Sequence, residues 1–239
     1  MIHKVESFGI SDIGLIRQNN EDVWAQIPEK YFYALADGMG GHKAGEVAAF
    51  LATEAVCEAV EKAPSLDATL LKKAIVEANQ KIYHLSTTQN TFTGMGTTLC
   101  CCLLKEKELI CAHVGDSRIY RYRKGLKRLT KDHSLREDLL AKGQIKEEDL
   151  ATFPKKNVIT KAIGLSLHVE PEISSAEIEP GDIYFLCSDG LTDGVSDPEI
   201  ASIIETSPSI EEASKKLVSL AKAKGGSDNI TILMLKITN

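Results

Sequence analysis

The chain has 239 residues, 43% of them apolar, with a formal net charge of -6 and an acidic pI. Length and apolar content suffice for a core of two packed sheets, so one domain over residues 1–239 is expected, while the acidic balance argues against a DNA-binding surface or a polybasic membrane patch. No apolar run approaches the roughly 20 residues that cross a bilayer, and the opening MIHKVESFGI lacks the basic head and long apolar stretch of a signal peptide, so a cytoplasmic protein with neither nucleic-acid nor membrane partners is expected.

In chain order, Tyr31 to Ala36 reads as a strand. Residues 46–61 then carry Val47, Phe50, Leu51, Ala55, Val56, Ala59 and Val60 at three- and four-residue steps, and residues 69–85 repeat the pattern with Leu71, Ala74, Ile75, Ala78, Ile82 and Leu85. Both predict amphipathic helices that bury one face. Thr97 to Leu104, Leu109 to Val114 and Ile119 to Arg123 are short runs of β-formers separated by charged or Gly/Asp turns, which predicts an antiparallel meander. Further strands are expected at Ile183 to Cys187 and Ile230 to Ile237, with a helix at about Ile210 to Ala223. This order lacks βαβα alternation and predicts an α+β sandwich, with antiparallel sheets covered by helices so that TLCCCLL and ITILML can be apolar on both faces. The six cysteines form no CxxC pair, lie in apolar stretches and read as buried thiols.

The informative feature is a set of aspartates that follow apolar strands beside glycine: YALADGMGG (Asp37, Gly38), CAHVGDSR (Asp116), YFLCSDGLTD (Asp189, Asp193) and GGSDNITIL (Asp228). A single Asp-Gly is usually a turn. Repeated at several strand ends, the pattern would crowd carboxylates into one volume, where their repulsion calls for cations. Oxygen donors with no His or Cys set at metal spacing select hard ions such as Mg²⁺ or Mn²⁺. Near the N-terminus, Arg17 lies close in sequence to Glu21 and Asp22; alone this predicts a surface salt bridge, and beside a metal cluster its guanidinium suits phosphate.

The segments GLIRQNNED, ADGMGGH, GMGTTL, HVGDSRIYRYR, LTKDHS, NVITKAIG, PGDIYFLCSDGLTD and SDNITIL, in this order, resemble the type 2C metal-dependent Ser/Thr protein phosphatases in their compact bacterial form. The resemblance spans nearly the whole chain. It implies a four-layer αββα sandwich with two Mn²⁺ or Mg²⁺ ions per active site, hydrolysis of phosphoserine and phosphothreonine by direct attack of metal-activated water, and a bacterial signalling role opposite a cognate Ser/Thr kinase, as a monomer. By position, Asp37 would bridge the ions, Gly38 would offer its carbonyl, Asp189 and Asp228 would bind one ion, and Glu21 and Asp22 would act through waters. Arg17 matches the phosphate-binding arginine. Asp116, with Asp189 and Asp193, matches a third metal site of some members.

The sequence departs from the family at Met39, where eukaryotic relatives carry a histidine acid; His42 or a water at the metals is left as proton donor. Lys161 replaces a common arginine, and residues 134–157 correspond to a flap. His113 is expected in the core, His133 in a loop-organising role, and His3, His84 and His168 at the surface. A catalytically silent phospho-binding module and a small-phosphoester hydrolase are the alternatives.

Overall fold

A computed structural model of the chain describes residues 4–40, 44–146 and 158–238. His3, His42 and part of the expected flap therefore lie outside the described residues. The strands are β1 (Lys4–Asp12), β2 (Asp22–Ile27), β3 (Phe32–Met39), β4 (Gly96–Thr97), β5 (Leu99–Lys105), β6 (Glu108–Val114), β7 (Arg118–Tyr122), β8 (Leu126–Arg128), β9 (Glu172–Glu177), β10 (Ile183–Cys187) and β11 (Ile230–Thr238). The helices are α1 (Ala44–Lys62), α2 (Ala68–Thr88), α3 (Leu135–Ala141), α4 (Asp189–Thr192), α5 (Asp197–Thr206) and α6 (Ile210–Ala223).

One sheet runs β1-β11-β10-β7-β8 and the other β2-β3-β5-β6-β9, with β4 on β3. The pairings are antiparallel. Side-chain alternation along the central strands builds three cores at once. Phe32, Ala34, Ala36, Cys101 and Leu103 face α1 and α2, whereas Tyr33, Leu35, Cys100 and Cys102 meet Tyr184, Leu186, Leu233 and Leu235 between the sheets. Phe185, Cys187, Ile232 and Met234 pack against α5 and α6 through Ile200, Ile204, Leu217 and Val218. The result is the expected α+β sandwich of four layers, and it explains why the central strands are apolar on both faces.

Two expectations fail. The meander stops after β6: β7 leaves that sheet and pairs with β10 in the other. The crossing is made at Gly115, whose φ of +106° is open chiefly to glycine, and a buried fork from Arg118 to Asp132 (2.7–3.1 Å) secures the far side. Phe50, expected on the buried face of α1, is exposed. The inner stripe is instead Ala44, Gly45, Ala48, Ala49, Ala52, Thr53, Val56 and Val60, because small side chains let α1 approach the sheet closely. Among the cysteines, all free, only Cys57 is partly exposed and the other five are buried, as the sequence predicts.

Candidate metal centre

Strand ends deliver the carboxylates to one edge of the sandwich. Asp22, which opens β2, is the register partner of Asp37 near the end of β3. The backbone of Asp37 is fully engaged: its N–H donates to Thr98 Oγ1 (2.9 Å), and its carbonyl accepts from the Thr98 N–H (2.9 Å) and Thr97 Oγ1 (2.9 Å). Only the side chain is left for other work. A Cβ on Gly38 would stand 2.2 Å from the Gly45 carbonyl oxygen, and one on Gly45 would stand 2.7 Å from Glu21 Oε2. Both positions therefore need glycine for α1 to start against the strand end.

The second sheet supplies the rest. Asp189 opens the single turn α4, and the Asp193 N–H closes that turn onto the Asp189 carbonyl at 2.8 Å. Ser188 ties the two sheets together, its hydroxyl donating to Asp22 Oδ2 (2.7 Å) and accepting from the Thr231 N–H (3.0 Å). Asp228 precedes β11 and receives the Arg17 guanidinium at 2.6 Å. Arg17 thus pairs with Asp228 and not with the Glu21 or Asp22 that its sequence position suggests. Asp116 sits at the crossing between the sheets, beside a buried Thr98–Ser117 hydroxyl pair at 2.7 Å.

Shared burial and like charge set the electrostatics of these groups. Burial first, then the charges of Asp22, Asp189, Asp116 and Asp228, push the Asp37 carboxyl well above the ordinary range. Asp189 is raised likewise, by burial and then by Asp116, Asp193, Asp228 and Asp22. Burial is also the main cause that lifts Asp22 and Asp116 to about 6, and Glu21 rises for the same reason despite Arg17. Two oxygens, Asp22 Oδ1 and Asp116 Oδ1, are buried without a hydrogen-bond partner. Mutually repelling carboxylates with orphaned oxygens, and no nitrogen or sulfur donor among them, fit hard divalent cations.

Asn229 is the residue that sequence reasoning passed over. It is buried; its Oδ1 accepts the Glu21 N–H (2.8 Å), and its Nδ2 donates to the carbonyls of Ile13 (3.0 Å) and Asn19 (3.0 Å). One amide thus fixes both ends of the Arg17 loop against Asp228. The SDN triplet was a visible signal, but its asparagine gains a role only through partners some 210 positions away.

Other features are unlike this centre. His113, His133 and Glu172 place donor atoms within 4.8 Å of one another, a spacing that no trio of the aspartates meets among the described residues. Three of the four ring nitrogens of that trio are already committed: His113 Nε2 to the Lys131 carbonyl (2.8 Å), and His133 Nδ1 to the Gly115 N–H (3.1 Å), which leaves His133 Nε2 as the donor to Glu172. His113 is a core histidine and His133 a loop organiser, as expected, and burial first, with Lys161 as a lesser cause, disfavours protonation of both. His84 and His168 are exposed. An apolar hollow of about 430 Å³, lined in part by Tyr31, Leu66, Leu103, Leu104 and Ile178, opens where β3 begins and β5 ends, away from the carboxylates.

Comparison with known proteins adds four findings. The family profile described as "Protein phosphatase 2C" matches residues 14–224. A serine/threonine phosphatase, stp, of Listeria monocytogenes serotype 4b is 35% identical over 235 residues, covering 95% of this chain and 93% of its own. The crystal structure of the Mycobacterium tuberculosis serine/threonine phosphatase PstP/Ppp superposes with a TM-score of 0.92 at 36% identity, covering 98% of this chain and 99% of that one. The PstP catalytic domain in complex with two manganese ions gives 0.88 at 35% identity, covering 98% and 99%.

Proposed function

The chain belongs to the protein phosphatase 2C family, and from that premise we infer that its carboxylate cluster is the centre of a metal-dependent phosphoprotein phosphatase acting on phosphoserine and phosphothreonine. The observation that carries this reading is the convergence of Asp37, Asp189 and Asp228, from three strand ends in two sheets, into one mutually repelling group. Asp37, the Gly38 carbonyl, Asp189 and Asp228 would hold two Mn²⁺ or Mg²⁺ ions, with Glu21 and Asp22 acting through waters and Asp116 and Asp193 completing a third site. When bound, such a pair lowers the pKa of water and offsets charge on the phosphoryl group.

The chain's own residues then have separate tasks. Arg17, half-exposed and anchored by Asp228, presents its remaining N–H donors to phosphate oxygens. Ser188 and Asn229 hold Asp22, Glu21 and the Arg17 loop in place. Thr97 and Thr98 fix the Asp37 backbone from which its carboxylate is presented. A thiol nucleophile is disfavoured, since burial lifts Cys187 to about 12 and Cys57 to about 11.

We further propose that residues 1–239 form one catalytic domain with a flap at 134–157 that shapes substrate choice. The protein would act as a monomer in a bacterial cytoplasm, in signalling, against a cognate Ser/Thr kinase. No described helix is long and apolar enough to cross a membrane. The test is turnover of a phosphothreonine peptide, p-nitrophenyl phosphate and a nucleoside triphosphate with Mn²⁺ and with EDTA. Metal-dependent hydrolysis that favours the peptide over the nucleotide is expected; full activity in EDTA would sink the metal reading, and preference for the nucleotide the protein-substrate reading.

A further inference from the structure

The segment from Ile13 to Asn19 combines a pinned backbone with an outward apolar pair. The Gly14 N–H donates to Asp12 Oδ1 (2.9 Å), and the Leu15 N–H to the Gly226 carbonyl (2.7 Å). Asn229 holds the carbonyls of Ile13 and Asn19, both at 3.0 Å, and Arg17 is tied to Asp228 at 2.6 Å. Gly14 has φ +80°, and a Cβ there would lie 2.2 Å from the Asp228 carbonyl, so the loop sits hard against the segment that leads into β11 and carries the carboxylate. Such a frame fixes which way its side chains leave. Leu15 is 60% and Ile16 69% exposed, the two highest values among the described large apolar side chains that face solvent.

We propose that Leu15 and Ile16 form a shelf for the protein substrate, selecting phosphoserine and phosphothreonine segments that carry a large apolar residue one or two positions from the phosphate. The proposal rests on reading Arg17 as the phosphate contact. Ile16 is the immediate neighbour of Arg17, and an extended peptide advances roughly 3.3 Å per residue, so a side chain one or two places along reaches the shelf while its phosphate sits at Arg17. Two ion pairs flank the shelf: Asp12 with Lys222 at 2.9 Å, and Asp228 with Arg17, whose remaining N–H donors stay open to a phosphate. Beside these pairs, Leu15 and Ile16 offer a peptide apolar contact. Its continuity with the phosphate contact, on one rigid loop, makes the substrate its occupant.

The test uses the intact protein with Mn²⁺ and a set of phosphothreonine peptides of equal charge: a parent with serines around the phosphothreonine, and four others with one leucine at -2, -1, +1 or +2. Wild-type protein should show about ten-fold higher kcat/KM for at least one leucine peptide, the discrimination a small apolar contact supplies. In L15S/I16S the ratio should fall to within about two-fold of unity, with each single variant intermediate. Circular dichroism and melting check that the variants fold, and each single variant carries the test if the double one does not fold. Equal turnover of all peptides by the wild type, or a preference the variants keep, overturns the shelf. So does a wild-type protein that self-associates through this face, with association lost in the variants and no peptide preference. Wild-type turnover of p-nitrophenyl phosphate separates the two levels: its absence with Mn²⁺ removes the phosphatase reading and the shelf with it, whereas its presence without peptide discrimination removes the shelf alone.

Discussion

Arg17 and Asp189 show how differently two charged residues of one site should respond to loss. Arg17 is half-exposed, so Arg17→Ala removes a charge-assisted contact of roughly 1.5–3 kcal/mol without leaving a buried partner stranded. We expect KM for a phosphopeptide to rise about 10- to 100-fold with a much smaller change in kcat; steady-state kinetics with an unchanged KM would take Arg17 out of the phosphate site. Asp189 is buried and held among like charges, which in that order raise its pKa. Asp189→Asn should lower turnover at least about 100-fold through lost metal affinity. The same change relieves repulsion, so the EDTA-treated variant should melt roughly 2–4 °C above EDTA-treated wild type. A variant that loses activity and also melts lower would mean that Asp189 has a structural task instead.

At the level of elements, strand ends and turns position the chemistry, and helices are secured by separate devices. Ser196 caps α5 in a reciprocal box with Glu199, and Glu199 also takes Lys224 at 2.6 Å from the end of α6. Those contacts, the Lys224 hydrogen bond first and then Ser196, hold the Glu199 carboxyl down to about 2 from 4.5. A depressed folded-state value stabilises the fold above the unfolded pKa and ceases to do so as pH falls through the folded one. The urea midpoint of wild type should therefore exceed that of Glu199→Gln by a constant amount above about pH 4.5, and the gap should close as pH approaches 2. A gap independent of pH would show that shape, not charge, carries the contact.

The helical periodicities of α1, α2 and α6 and the apolar runs of β5, β6, β10 and β11 were legible because each is a strong local pattern. β1, β2 and β9 were not: β9 reads EISSAE, mostly exposed, and becomes a strand by pairing with β6. The assignment of β7 to the wrong sheet has the same origin. Proximity in sequence favours pairing with β6, and only the glycine at 115 and the contacts made by Arg118 show that the chain crosses.

For the whole molecule, a cluster of raised carboxylates is a cost borne by the fold, and any ion that binds only the folded state offsets it. Adding Mn²⁺ at a hundred-fold excess over Kd should raise the Tm by about 5–10 °C, and Asp37→Asn with Asp189→Asn should abolish the shift. Calorimetry showing no metal-dependent shift in the wild type would contradict a folded-state metal centre.

The sequence by itself determined the layer architecture and marked a set of aspartates at strand ends, because alternation along strands and Asp-Gly at their ends are local properties of the chain. Tertiary structure alone decided that Arg17 pairs with Asp228, that Asn229 holds the loop between them, and that Leu15 and Ile16 face outward. Those relations join positions more than 200 residues apart, and hydrogen-bond direction across such a distance exists only once two sheets have packed and brought the strand ends to a common edge.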